Sequence, residues 1–200
     1  MTRLPIFTFS SIKDAPTRRD ATTNFIDYWT PVKKGPLTLL SLFGFSTNAS
    51  TQWIQLFDHD GALTGSITDT DDGTGELTVG ANSGIHTGQE VILGSIAGMT
   101  RGFAYVNSST AIQVFDTYDH ALKGASGTGI ILPSSNGDTG TWTLIPFHTF
   151  AAGADNNYSM IIPVTGLTVS FGLCVANSST EATYTAGAAK DITACGTFLL

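Results

Sequence analysis

The apolar and polar positions of this chain alternate with the period of strands. The densest apolar stretch runs from Leu37 to Asp58: Leu-Thr-Leu-Leu-Ser-Leu-Phe-Gly-Phe, a group of turn formers at Thr47, Asn48 and Ala49, then Thr-Gln-Trp-Ile-Gln-Leu-Phe-Asp. The pattern predicts two strands folded against each other as a hairpin. Side chains alternate across a strand, so Leu37, Leu39, Phe43 and Phe45 fall on one face and Leu40 and Leu42 on the other. In the second strand Trp53 and Phe57 oppose Ile54 and Leu56. Apolar residues on both faces predict burial on both, with the rest of the chain supplying the partners.

Two polar, glycine-containing connectors follow, at residues 66–75 and 133–140. Between them lie five short alternating pairs: Leu77 and Val79, Val91 and Leu93, Phe103 and Tyr105, Ile112 and Val114, Ile130 and Leu132. Regular short strands predict a small barrel-like module, and Tyr118, Ala121 and Leu122 have the spacing of one or two helical turns. Residues 141–200 return to the style of the first stretch. Trp142 and Leu144 alternate with threonines, Tyr158 to Ile162 is apolar, and Phe171, Leu173 and Val175 face away from Ser170, Gly172, Cys174 and Ala176. A face of small residues predicts a close neighbour. A polar strand at 181–185 and a last strand from Ile192 complete the expected set.

Neither flank holds enough strands alone to close a core. The chain therefore reads as all-β: a jelly-roll-like β-sandwich from residues 37–65 plus 141–200, with a small β-barrel-like domain at 74–133 inserted in one of its loops. Residues 1–36 differ. Pro5, Pro16, Pro31 and Pro36 interrupt them, and their apolar residues come in clumps, which reads as an extended N-terminal arm. The competing reading makes the clumps edge strands of the chain's own sheets.

Charge sharpens the contrast between arm and body. Only 12% of residues are charged and the net charge is −7, yet residues 1–34 carry six basic side chains against three acids, a local +3 that leaves −10 for the remainder. An acidic body without a basic face excludes nucleic acid as main partner, and sign asymmetry marks a tail that docks on protein. The arm residues expected to bind a partner are Phe7, Phe9, Tyr28 and Trp29 as pocket-filling anchors, with Arg18, Arg19, Lys33 and Lys34 meeting acidic surface. No secretory leader opens the sequence and no apolar run approaches about 20 residues, so no membrane partner is expected and synthesis in a cytosol is.

Candidate chemistry is sparse. Asp69, Asp71, Asp72 and Glu76 lack the spacing of a calcium loop and read as a solvated connector. His59, His86, His120 and His148 are scattered without metal spacing, and no nucleophile motif accompanies them, so no metal, cofactor or catalytic residue is expected. Asp58 with Asp60, or Asp116 with Asp119, are the pairs a glycan hydrolase would use, a reading with nothing else behind it. Cys174 and Cys195 read as buried free thiols that would face each other only if their strands were neighbours. Trp53 and Trp142 read as core.

The segment Gly84-Ile85-His86-Thr87-Gly88-Gln89-Glu90-Val91, followed by Tyr105-Val106-Asn107, Ala111-Ile112-Gln113-Val114 and Ala121-Leu122-Lys123-Gly124, resembles a small β-module of tailed-bacteriophage structural proteins. The stretches Trp53 to Asp58 and Gly172 to Thr180 are similar to sandwich domains of phage virion proteins. The resemblance implies a non-enzymatic virion protein: a capsid decoration or cement protein, or alternatively a neck, baseplate or tail-fibre component that contacts a host-surface glycan or protein. The implied partners are the major capsid protein or other virion proteins and further copies of the chain, with a trimer favoured.

Overall fold

The computed structural model of the chain describes residues 6–10, 29–46, 49–81, 83–124, 128–154, 157–185 and 192–199. It is mostly β, and it divides into two compact units, Met1–Asp60 with Pro146–Leu200, and Gly61–Ile145.

The Gly61–Ile145 unit is a closed six-stranded antiparallel barrel. Its strands are β5 (Thr64–Thr70), β6 (Glu76–Val79), β7 (Glu90–Gly94), β8 (Arg101–Ser108), β9 (Ala111–Phe115) and β10 (Gly140–Leu144). They run in the order β10-β5-β6-β9-β8-β7, and β10 closes onto β7. Closure leaves no unpaired strand edge in the ring. The interior is filled by alternate residues such as Ile67, Leu77, Val79, Val91, Leu93, Val114, Trp142 and Leu144. The helix expected from its spacing is present as α1 (Tyr118–Lys123): the Thr117 side chain accepts from the His120 N–H at its start, and Gly124 (φ 59°) ends it.

The barrel takes its first and last strands from segments that the pattern assigns elsewhere. Residues 64–70 read as sandwich edge and connector, and 141–144 as sandwich; both are barrel strands, whereas Ile130 makes only an isolated bridge with Phe115. The cause is a glycine covered by an aromatic ring. Gly65 lies opposite Trp142 across the β5–β10 pair, and a Cβ at Gly65 would come within 2.8 Å of the indole. The neighbour's ring supplies the apolar volume that β5 lacks in its own sequence.

The other unit holds two sheets. One has the order β1-β15-β3-β12, with β13 also on β3; it is built from β1 (Ile6–Ser10), β3 (Leu37–Ser46), β12 (Asn157–Met160), β13 (Leu167–Val169) and β15 (Ile192–Leu199). We call it sheet A. The second, sheet B, has the order β11-β4-β14-β2, from β2 (Trp29–Lys34), β4 (Gln52–Asp58), β11 (His148–Ala152) and β14 (Gly172–Ser178). The predicted hairpin is therefore not one. β3 and β4 belong to different sheets, each flanked on both sides by other strands, and Leu37, Leu39 and Leu42 share one buried cluster with Ile54, Leu56, Leu173 and Val175. Two strands that are apolar on both faces each occupy a sheet interior, where flanking strands take up both edges.

A bulge changes the inside-outside phase of β3. Thr197 lies opposite Ser41 but Phe198 lies opposite Leu39, leaving Leu40 as the extra residue. Beyond it the phase flips, so Leu37, Leu39 and Leu42 are buried together while Phe43 and Phe45 turn outward. A period-two reading without a bulge wrongly groups Phe43 and Phe45 with Leu37 and Leu39.

The polar strand expected at 181–185 is a loop. Gln55 Nε2 faces the carbonyls of Thr180, Glu181 and Thr183 at 3.1, 3.0 and 3.1 Å, and Ser178 Oγ lies 2.8 and 3.1 Å from the carbonyls of Thr180 and Thr183. These bonds curl the segment over β4 and β14, with Tyr184 edge-on to Phe57. This loop is the close neighbour that the small residues of β14 predict, since Cys174 and Ala176 lie opposite Phe57 and Gln55.

Candidate interaction surfaces

Of the eight residues expected to bind a partner, five fall in strands that pair with the body. Phe7 and Phe9 are in β1, opposite Phe198 and Gly196; Trp29, Lys33 and Lys34 are in β2, opposite Ala176, Leu173 and Gly172. Residues 6–10 and 29–34 are thus edge strands of two different sheets, not parts of one extended arm. Their aromatic and β-branched residues suit strand pairing, and β14 and β15 offer the backbone groups that need partners. Arg18, Arg19 and Tyr28 lie outside the described residues.

The carboxylate pairs considered for catalysis have structural partners. The Asp58 carboxylate accepts backbone N–H bonds from Ser170 (2.8 Å), Phe171 (2.7 Å) and Gly172 (3.3 Å), holding the entry to β14 against the end of β4. Asp116 meets His120 Nδ1 at 2.6 Å, one turn away, instead of pairing with Asp119. The hydrogen bond from His120 is the largest cause holding the Asp116 carboxyl below 3.8. A depressed carboxylate pKa means that the contact is present above the ordinary value and is lost as pH falls through the lowered one. His120→Ala is expected to return the Asp116 titration, followed by its carboxyl NMR resonance, towards 3.8.

In the acidic connector, Asp71 Oδ1 accepts from the N–H groups of Gly73 and Thr74, which lowers its pKa, and Asn136 Oδ1 accepts from Asp72 N–H. This is a hydrogen-bonded turn, in which the carboxylate oxygen caps the chain behind it.

Cys174 and Cys195 lie in β14 and β15, which belong to different sheets, so their strands are not neighbours. Cys174 is fully buried, and burial pushes its thiol up to about 12. The thiolate is the nucleophile. Alkylation at pH 8 followed by peptide mapping is expected to leave Cys174 unmodified in the folded protein and to label it after denaturation. Trp142 is core as expected; Trp53 is only half-buried, on the outward face of β4.

Among the described residues of the two-sheet unit, exposed apolar side chains gather in two places, apart from Phe147. One is a tip, the link between β12 and β13. Gly166 N–H donates to Pro163 O at 2.7 Å and Gly166 has φ +81°, closing a four-residue turn that displays Val164 fully to solvent beside Ile161, which is 94% exposed. The second is the outward face of sheet A, where Phe43 is 51% and Phe45 38% exposed. Ser159 lies opposite Phe43 and Asn157 opposite Phe45. Hydroxyl pairs flank them, Ser41 with Thr197 at 2.9 Å and Thr38 with Thr168 at 3.3 Å. The period-two reading missed this face because only the bulge at Leu40 turns the two phenylalanines outward. No family model, no curated protein and no solved structure matches this chain.

Proposed function

We propose that this chain is a non-enzymatic structural protein of a phage particle, a capsid decoration or cement protein whose two-sheet unit grips a neighbouring virion protein on the outside of the shell. In this reading the unit is a β-sandwich of jelly-roll character. Its support is the single buried cluster that both sheets share, together with a chain that passes between them repeatedly, β1 to β4 lying alternately in sheets A and B.

The observation that carries the functional reading is the tip. Ile161 and Val164 are almost wholly exposed, and the hydrogen-bonded turn beside Pro163 holds that part of the loop in one shape. Exposed apolar side chains on a preorganised loop favour protein contact, because little conformational freedom remains to be lost on binding. The tip thus takes over the gripping role expected of the arm, whose described segments are paired into the sheets.

The test is the copy number of the protein in purified particles, by quantitative mass spectrometry against the main shell protein, for the natural chain and for a chain carrying Ile161→Asp and Val164→Asp. A number comparable to the shell protein, lost in the double variant, is the expected result. A few copies per particle would move the protein to the neck, baseplate or fibre. Absence from particles would overturn the virion reading.

A further inference from the structure

We infer that the outward face of sheet A is a self-association surface, on which a second copy of this chain packs the same face about a two-fold axis. The chain carries −7, yet among the described residues of this face there is no acidic or basic side chain: Phe43 and Phe45 stand among Ser41, Thr197, Ser159 and Asn157. Like charges brought together across an interface cost several kcal/mol, so two acidic copies can approach closely only where each is neutral. A basic partner would instead seek the acids that this face lacks. A neutral, partly aromatic face on an acidic chain therefore fits its own copy better than it fits a charged partner.

Shape and size agree. Strands about 4.8 Å apart, rising about 3.3 Å per residue, give the four strand positions from β12 to β1 a face of roughly 20 by 30 Å. That is roughly 600 Å² in projection before side-chain relief, on the scale of the ~800 Å² that each partner brings to a standard interface. Small side chains opposite Phe43 and Phe45 leave the two rings as the raised features, and aromatic rings are the side chains that dominate interface energetics. A face that meets its own copy does so about a two-fold axis. This contact therefore makes pairs; the trimer expected from the sequence would need another surface.

The experiment is sedimentation equilibrium of the full chain over a concentration series, with Phe43→Asp and Ser159→Asp, each checked by thermal melting followed by circular dichroism. Ser159 is exposed, so its substitution leaves the core untouched. The natural chain is expected to pair, and each variant to weaken pairing by at least about tenfold, which corresponds to about 1.4 kcal/mol. Mixing Ser159→Asp with Ser159→Lys chains is expected to restore pairing, as mixed dimers of opposite charge. A natural chain that stays monomeric, or variants that pair as well as it does, would overturn the inference. Pairing in solution by a protein that never enters particles would sink the virion reading and leave this one standing.

Discussion

Trp142→Ala is expected to lower the stability of the barrel unit by about 3–5 kcal/mol, the range for truncating a fully buried large aromatic. The indole is 1% exposed and covers Gly65 on the neighbouring strand, so its removal opens a cavity and uncovers a strand with no large side chain of its own at that position. Because β10 pairs with both β5 and β7, the loss falls where the ring of strands closes. Hydrogen exchange read by mass spectrometry on peptides from 61–145 should show the loss as faster exchange in β5, β7 and β10. Trp142→Phe is expected to cost much less. Among the described residues the buried indole Nε1 has no hydrogen-bond partner, so phenylalanine removes an unsatisfied donor along with some packing. If the alanine variant melted like the natural protein, the account of barrel closure by an aromatic ring over a glycine would fail. A loss of this size is a large share of the 5–15 kcal/mol that holds a typical domain together.

Asp58→Ala is expected to cost about 2–4 kcal/mol in the two-sheet unit, since hydrogen bonds to a charged group contribute about 1.5–3 kcal/mol each and do not add fully. The carboxylate gathers the N–H groups of Ser170, Phe171 and Gly172, where the chain turns from β13 into β14. Without it, half-buried Phe171 and buried Gly172 lose a backbone acceptor, and the register of β14 on β4, which begins at the Leu173 to Asp58 pair, loses its stop. Asp58→Asn keeps one carbonyl oxygen in place and should recover part of the loss. Chemical denaturation of the three proteins, with the slope compared as well as the midpoint, distinguishes lost stability from a loosened native state. Equal midpoints for the aspartate and alanine forms would overturn the role given to Asp58 at the start of β14.

Much of the fold is legible in the chain. The strand segments at 77–79, 91–93, 112–114 and 192–199, the helix at Tyr118–Lys123 and the existence of a barrel follow from spacing, because each segment carries its own alternation and its own cap or turn. The exceptions share a physical cause: the deciding group lies elsewhere in the chain. Residues 64–70 are polar and glycine-containing, and the strand they pair with, which lays Trp142 over Gly65, comes 77 residues later. Residues 181–185 read as a polar strand, and they form a loop because Gln55 and Ser178 hydrogen-bond the carbonyls of Thr180, Glu181 and Thr183.

The surfaces divide in the same way. The tip at Ile161 and Val164 is written locally, in an apolar run broken by Pro163 and ended by Gly166. The face of sheet A is not, since Phe43 and Phe45 point outward only because the pairing of β3 with β15 slips by one residue at Leu40. By itself the sequence determined an all-β chain with an insertion and two strands that are apolar on both faces, because period and composition are properties of neighbouring residues. Only the tertiary structure decided that those two strands lie in separate sheets across one core, that residues 6–10 and 29–34 pair as edge strands, and which aromatic rings meet solvent. Strand partnership and bulges depend on backbone hydrogen bonds between segments far apart in the chain, and no local pattern records them.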